Sequence, residues 1–511
     1  MDVDVPTNDN HAFEEEENDD EDTEPVFIDA DDDVEEVVVD DTPPAPDSDD
    51  DAEMATDPSL PPPPPMSIEP DSSLATLRSH RGPVYSVCCV PAGGGPSPSS
   101  SSSSSSPPRF YVATGSGDDS AHVTTLDLTT SPPSSSSFQL LPGHAESVSA
   151  ASFSVDRTLL ATADYGGLIS IWCADPAPAS ASSPLKLDRT LPSGPTDVEW
   201  LTWHPKGNVF AVGSTDGTAW MYLAKTGAVM QVFAGHDPSP DEDSGGGVTA
   251  GKFTPDGRHL ITVGGSPSDS TLRVWNPKTG QARHVFKSDA KGGVFFPLGG
   301  LNALAVGGGP DGLLAAAGSS SGQVAVVHVD NKKVLGRGLQ HALTTATTTS
   351  SSSSSSASGD ADETALDNET SIEAVAFCPT NANVLASGGS DGRVCVWEVG
   401  APSGSGTAAL RSTLSHPAGV TTLLWKEGSD SAGVFRGIYT ACSDGVVRMW
   451  DSRTGACVRE MHGHQDMVLC LDVVRAEGYG DIVLSGGDDH CVKVWGVPDS
   501  DVEEIAKTVG R

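Results

Sequence analysis

An all-β propeller of eight four-stranded blades, carried behind a disordered acidic N-terminal tail, is the fold class this chain predicts. Three observations carry that expectation. A strand-like unit recurs eight times along 511 residues. The second half of most units repeats an Asp-containing turn that leads into an alternating apolar run. Most of the net charge is concentrated at one end, which separates a tail from a repeat array.

The tail comes first in the chain. Residues 1–72 hold 28 Asp and Glu and no Lys or Arg, so two thirds of the net charge of −42 sits in about one seventh of the chain. Its blocks are Glu14–Glu17, Asp31–Asp33 and Asp49–Asp51. Such a segment buries too little apolar surface to offset its ordering entropy, so disorder is expected over 1–72. The run Pro61–Pro65 adds a stiff polyproline spacer.

The repeats follow. Each unit has an aliphatic residue and, five positions later, a second and mostly bulky apolar one. The pairs are Val84/Cys89, Val148/Phe153, Val198/Trp203 and Val248/Phe253, then Leu301/Val306, Ile372/Phe377, Val420/Trp425 and Val468/Val473. Their starts lie 48–71 residues apart. Inserts such as Ser97–Pro108 and Thr344–Asp367 account for the longer spacings. In the second half of a unit, Asp216, Asp269, Asp391, Asp444 and Asp489 each stand six residues before Tyr222, Trp275, Trp397, Trp450 and Trp495. Apolar alternation fills the gap, which is strand patterning bounded by Asp/Gly turns. The first unit has Asp118 but Thr124 at the bulky position, the fifth has Ser321 and Val327, and in the second Asp164 is displaced.

Eight units predict eight blades, which must close into a ring. The last unit ends at Trp495, one strand short, and Leu74–Arg78 can supply the missing outer strand, leaving no open edge. A seven-bladed ring with one irregular insert is the alternative. The domain boundaries expected are a tail over 1–72, a propeller over 73–497 and a C-terminal tail over 498–511.

The dipeptides Gly143-His144, Gly235-His236 and Gly463-His464, with Trp172, Trp275 and Trp495 closing their units, resemble the WD-repeat family. That resemblance implies a hydrogen-bonded tetrad of Asp, His, Ser/Thr and Trp. His464, Ser485, Asp489 and Trp495 can supply all four members.

No catalytic constellation stands out, and the chain is not expected to be an enzyme. Gly307–Gly312 is glycine-rich but lacks the Lys-Ser/Thr of a phosphate loop and reads as a turn. Histidines that recur at the repeat period read as structural. The nine cysteines are scattered without a CxxC pair and read as small buried hydrophobes, so no metal and no cofactor are expected. The acidic N-terminus is unlike a secretory signal, and no apolar run is long enough to span a bilayer. An acid-rich chain repels phosphate backbones, so direct nucleic-acid binding is disfavoured and basic proteins become the expected partners.

Binding is then the function to place. In a propeller the residue one past each aligned aliphatic residue rings the mouth of the channel: Tyr85, Ser149, Glu199, Thr249, Asn302, Glu373, Thr421 and Leu469. Two are carboxylates and none is basic. Asp118, Glu146, Asp197 and Asp466 lie in neighbouring loops, with Arg81 the chief base. An acidic mouth suits a basic peptide.

The acidic tail, the eight repeats and the stretch TADYGGLISIW (162–172) resemble one branch of WD-repeat proteins, over roughly residues 20–497. That branch includes angio-associated migratory cell protein and a fungal ribosome-assembly factor. The resemblance implies a dedicated chaperone for ribosomal protein L-ten of the large subunit, holding that protein's basic N-terminus on an acidic face. Glu199 and Glu373 are then the protein-binding residues, with Glu146, Asp466 and Asp488 in support. It also implies a cytoplasmic monomer, with the nucleus as a second location, which reaches the pre-60S particle through its client. Two other readings stay open. Trp450-Asp451-Ser452-Arg453 matches the WDxR motif of substrate receptors of cullin-RING ubiquitin ligases, and a general signalling scaffold is the third.

Overall fold

The computed structural model describes residues 70–92, 109–128, 134–174, 184–191, 194–238, 246–266, 270–287, 299–309, 312–341, 370–399, 408–426, 437–476 and 478–499. Nearly all of the expected acidic tail, the C-terminal tail from 500, Asp269 and the two long inserts lie outside the described residues.

The ordered elements are strands, arranged in eight antiparallel four-stranded sheets. The short strand β1 (Ala75–Leu77) precedes blade one. Blade one is β2 (Val84–Pro91), β3 (Arg109–Ser116), β4 (Ala121–Asp127) and β5 (Ser134–Leu141). Blade two is β6 (Ala150–Phe153), β7 (Leu159–Ala163), β8 (Ile169–Ala174) and β9 (Leu185–Thr190). Blade three is β10 (Val198–Trp203), β11 (Val209–Ser214), β12 (Thr218–Leu223) and β13 (Ala228–Ala234). Blade four is β14 (Val248–Phe253), β15 (Leu260–Gly264), β16 (Thr271–Trp275) and β17 (Ala282–Lys287). Blade five is β18 (Leu301–Gly309), β19 (Gly312–Ser319), β20 (Gln323–His328) and β21 (Lys333–Gln340). Blade six is β22 (Ile372–Cys378), β23 (Asn381–Gly389), β24 (Arg393–Glu398) and β25 (Ala409–Ser415). Blade seven is β26 (Val420–Trp425), β27 (Gly437–Cys442), β28 (Val447–Asp451) and β29 (Ala456–Met461). Blade eight is β30 (Val468–Ala476), β31 (Gly480–Gly487) and β32 (Val492–Val497), completed by β1.

The expected closure is therefore present: Ala75, Thr76 and Leu77 pair with Val494, Lys493 and Val492. Lys493 fastens the seam further through an ion pair with Asp71 and a 3.0 Å hydrogen bond to Thr76. The eight-bladed count holds and the seven-bladed alternative falls. The glycine-rich Gly307–Gly312 segment ends β18 and opens β19, as a turn should.

The alternating strand pattern leaves each blade apolar on both faces, and those faces pack in the gaps between blades. There are eight apolar clusters among the described residues, one per gap. The seam gap is packed like the others, with Leu77, Val84, Leu484, Val492 and Val494 all buried. Trp200 shows how tight a gap can be. Its indole lies between Gly213 and Gly251, and a methyl group at either position would overlap the ring.

Because each blade is an antiparallel meander, its turns sort to two ends. The second-to-third strand turns and the connections between blades lie at one end, here the upper. The first-to-second and third-to-fourth strand turns lie at the other, the lower.

A carboxylate-bearing upper end

The upper end is built on the histidine tetrads. In blade two Asp164 lies 2.7 Å from His144 Nδ1, His144 Nε2 lies 2.8 Å from the Thr162 hydroxyl, and Trp172 Nε1 donates to the same oxygen at 3.0 Å. Blade six repeats this with His341, Asp391, Ser387 and Trp397. In blade eight, the set named from sequence, His464 bonds Asp489 at 2.9 Å and Ser485 at 2.7 Å. Trp495 does not join. Its buried indole N–H makes no hydrogen bond, and its ring only packs against His464 at 5.8 Å between centroids. The expected four-membered set is thus a triad with a packed tryptophan.

Two further corrections concern registration. Asp164, displaced in the sequence, reaches the same histidine nitrogen as the other aspartates. It stands where blades six and eight have Gly389 and Gly487, whose added Cβ would crowd the histidine at 3.0 and 2.7 Å. His341 and His416 also occupy tetrad positions, although Gln340 and Ser415 precede them instead of glycine. The signal for His416 was its spacing, four residues before Val420, as His144 stands before Val148. In blade seven Arg448 draws off Asp444, leaving His416 Nδ1 unpaired, and burial plus Arg448 lowers the His416 pKa to about 4. In blade one His80 bonds Asp118 at 3.2 Å and Thr114 at 2.7 Å, and Thr124 fills the tryptophan position.

Above the tetrads lie the mouth positions. In seven blades the residue after the aligned aliphatic one is a β-bulge, as between Val198 and Trp200 or Ile372 and Ala374. A bulge frees a side chain from the alternation and re-aims it. The ring of eight is not uniformly open, however. The hydroxyls of Ser149, Thr249 and Thr421 donate to Val198, Leu301 and Val468 of the next blade at 2.5, 2.5 and 2.6 Å. Asn302 donates to Ser371 at 2.9 Å. Those four side chains staple blade to blade. Tyr85, Glu199, Glu373 and Leu469 make no such blade-to-blade bond among the described residues.

Glu199, half-buried, shares its site with exposed Asp197 and the exposed rings of Tyr85 and Tyr165. Burial and the nearby Asp197 carboxylate raise the Glu199 pKa above its ordinary value. Burial, Glu199 and Tyr85 push the Tyr165 hydroxyl up to about 12. Glu146, exposed, lies beside Gly166, its Cγ 3.1 Å from where a Cβ on that glycine would stand. Glu373 stands three blades from Glu199, exposed and without a cationic partner among the described residues. Asp466 is exposed in blade eight, and half-buried Asp488 is anchored there by its backbone N–H to Met467 at 2.8 Å. The structure thus places Glu146 in the connection into blade two, Glu199 in blade three, Glu373 in blade six, and Asp466 and Asp488 together in blade eight. Sequence reasoning placed Tyr85 on the ring but missed Tyr165, which follows the tetrad Asp164 directly.

At the lower end of blade seven, Trp450 and Asp451 are buried, and Asp451 accepts from the Arg453 backbone at 3.1 Å and from Thr454 at 2.9 Å. Only the Arg453 side chain of the Trp450–Arg453 motif is exposed. Among the described residues no group of histidine, cysteine and acid side chains could hold a metal ion, and no helix is long and apolar enough to cross a membrane. Cys89, Cys378, Cys395, Cys442 and Cys491 are buried free thiols.

The family model for the WD domain, G-beta repeat, matches residues 135–173, 186–222, 227–276, 350–398 and 455–496. Human angio-associated migratory cell protein is 29% identical over 353 residues, covering 69% of this chain and 68% of the relative. The ribosome assembly protein SQT1 of Saccharomyces cerevisiae is 24% identical over 368 residues, covering 70% and 76%. The crystal structure of Chaetomium thermophilum Sqt1 bound to the N-terminus of ribosomal protein L10 superposes with a TM-score of 0.60 at 22% identity, over 84% of this chain and 100% of that one. The chain is an eight-bladed WD40-repeat propeller whose homologues include angio-associated migratory cell protein and the Sqt1 ribosome assembly protein.

Proposed function

We propose that this chain is a non-enzymatic binding protein of large ribosomal subunit assembly, which holds the basic N-terminal segment of ribosomal protein L10 on its upper end. One observation carries the reading. The carboxylates of Glu146, Glu199, Glu373, Asp466 and Asp488 face the upper end without a cationic partner among the described residues. The likeness to Chaetomium thermophilum Sqt1, whose structure was solved bound to the N-terminus of L10, supports the choice of client. Glu199 and Asp197 would accept charge-assisted hydrogen bonds from a lysine or arginine, while Tyr85 and Tyr165 offer ring faces to the same cation. The chain would act in the cytoplasm and also the nucleus, as a monomer. It would meet the pre-60S particle through its client and not by binding nucleic acid itself.

Calorimetry of the full chain with the N-terminal peptide of L10, at two salt concentrations, tests this. Binding should weaken with salt. Glu199→Lys or Glu373→Lys should each weaken it by about tenfold or more, since repulsion replaces pairing. Because the Glu199 pKa is raised, affinity should fall as pH drops through a value above 4.5, where this carboxylate takes up a proton. Affinity unchanged in both charge reversals would remove the site, and no binding at either salt would remove the client.

A further inference from the structure

The lower end of the ring divides by charge. In blades seven and eight, among the described residues, Arg453 is exposed but the other lower-end cations are paired with carboxylates. Lys426 meets Asp481 in a buried pair, and Arg475 bridges Asp481 at 3.0 Å and Asp499 at 2.5 Å. Blades three to five differ. Their lower turns carry Lys206 and Lys225, then Lys278, then Lys332 and Lys333, all exposed and none with a side-chain partner among the described residues. Arg258 and Arg283 stand among them. Their contacts to Asp256 and Asp330 are both 3.6 Å long and exposed to solvent, so they hold little of the charge. Asp256 and Asp330 are the only carboxylates in those turns among the described residues.

A buried group points the same way. Arg283 Nη1 lies 2.8 Å from His259 Nε2. A guanidinium only donates, so this nitrogen accepts and the ring carries its proton on Nδ1. His259 is 7% exposed, and its Nδ1 has no partner. The cluster is therefore rich in donors and short of acceptors. The overall charge of −42 does not cancel this. At physiological salt a field decays within about 8 Å, so a ligand at these turns meets the local lysines.

We propose that the lower end of blades three to five is a docking surface for an acidic polypeptide segment, on the end opposite the carboxylates. Five of the seven cations are lysines, point charges on flexible stems that follow irregularly spaced carboxylates, whereas planar phosphate recognition favours arginine forks. Among the described residues these turns also expose no aromatic ring on which a base could stack and no helix that could enter a groove. A basic client above and an acidic partner below would let one propeller join the two.

The test is fluorescence anisotropy of a labelled oligoglutamate peptide with the full chain, at low and at physiological salt. Binding should appear at low salt and weaken as salt rises. The triple variant Lys206→Glu/Arg258→Glu/Lys332→Glu should weaken it at least about tenfold, while Glu373→Lys at the other end should leave it unchanged. If that triple variant fails to fold, Lys206→Gln/Lys278→Gln/Lys332→Gln should still lower affinity. Absence of binding, or binding indifferent to these substitutions, overturns the proposal. So does an RNA hairpin that binds more tightly than the peptide and is lost in the same variants.

Discussion

Thr162 and Thr114 offer a matched pair for weighing the tetrad. Both occupy the same position in the second strand of their blades, two residues after the partner of the tryptophan position. Thr162, fully buried, donates to His144 Nε2 at 2.8 Å and accepts from Trp172 Nε1 at 3.0 Å. Thr114 donates to His80 Nε2 at 2.7 Å, but with Thr124 in place of tryptophan it receives no indole. Replacing either by valine keeps the shape and removes the hydroxyl. Thr162→Val then orphans two buried polar groups and Thr114→Val one. A buried group left unpaired costs about 1–3 kcal/mol. Thr162→Val should therefore lose about 2–6 kcal/mol and Thr114→Val about 1–3. The loss in blade one should be the milder still because His80 Nε2 retains His122 Nδ1 at 3.4 Å. Equilibrium urea unfolding followed by tryptophan fluorescence measures both, at unchanged denaturant sensitivity. Equal losses, or a larger loss for Thr114→Val, would refute the view that the shared hydroxyl is the node of the tetrad.

Three further outcomes follow from packing and charge. Burial and the neighbouring His80 lower the His122 pKa from 6.5 to about 4, so its charged form is disfavoured in the fold. The His122 contribution to stability should fall as pH drops below about 6.5 and level off below about 4, by at most roughly 3 kcal/mol, and in pH-dependent unfolding His122→Phe should remove that part of an acid limb to which His416 also contributes. Gly251→Ala forces a methyl into the Trp200 indole, which donates to Val248 at 2.7 Å; thermal melting should show a loss of about 1–3 kcal/mol, and an unshifted melt would mean that the gap is slack. Lys426→Met takes the buried ammonium from Asp481, which keeps Arg475 at 3.0 Å and the Tyr439 hydroxyl at 2.8 Å, so urea unfolding should register about 1–3 kcal/mol. Asp481→Leu, which leaves the buried Lys426 unpaired, should cost more, about 3–5 kcal/mol, and the reverse order would contradict the desolvation argument.

The blade count and the closing strand were legible because period and alternation are local properties that survive insertion. Val327 and Thr124 sit where the register puts them, although neither is a tryptophan. What escaped was whatever depends on a neighbour distant in sequence. The aligned mouth position was correctly located, yet nothing local says that Thr249 bonds a carbonyl 52 residues away while Glu373 is left free. Asp164 looked misplaced because spacing counts residues, whereas the histidine responds only to where the carboxylate oxygen arrives. Trp495 carries every mark of a tetrad member and still has no acceptor within reach.

The pairing of β1 with β32 joins residues 419 positions apart. During synthesis at about 5–20 residues per second, β1 leaves the ribosome roughly 20–80 s before its partner exists. Over that interval the seven other blades finish one after another, and each presents an unpaired outer edge that could capture a waiting strand. At only three residues, β1 is too short to be held by such an edge on hydrogen bonds alone. Its brevity protects the nascent chain from premature closure, and Leu77 and the Lys493 contacts select the correct blade once β32 arrives.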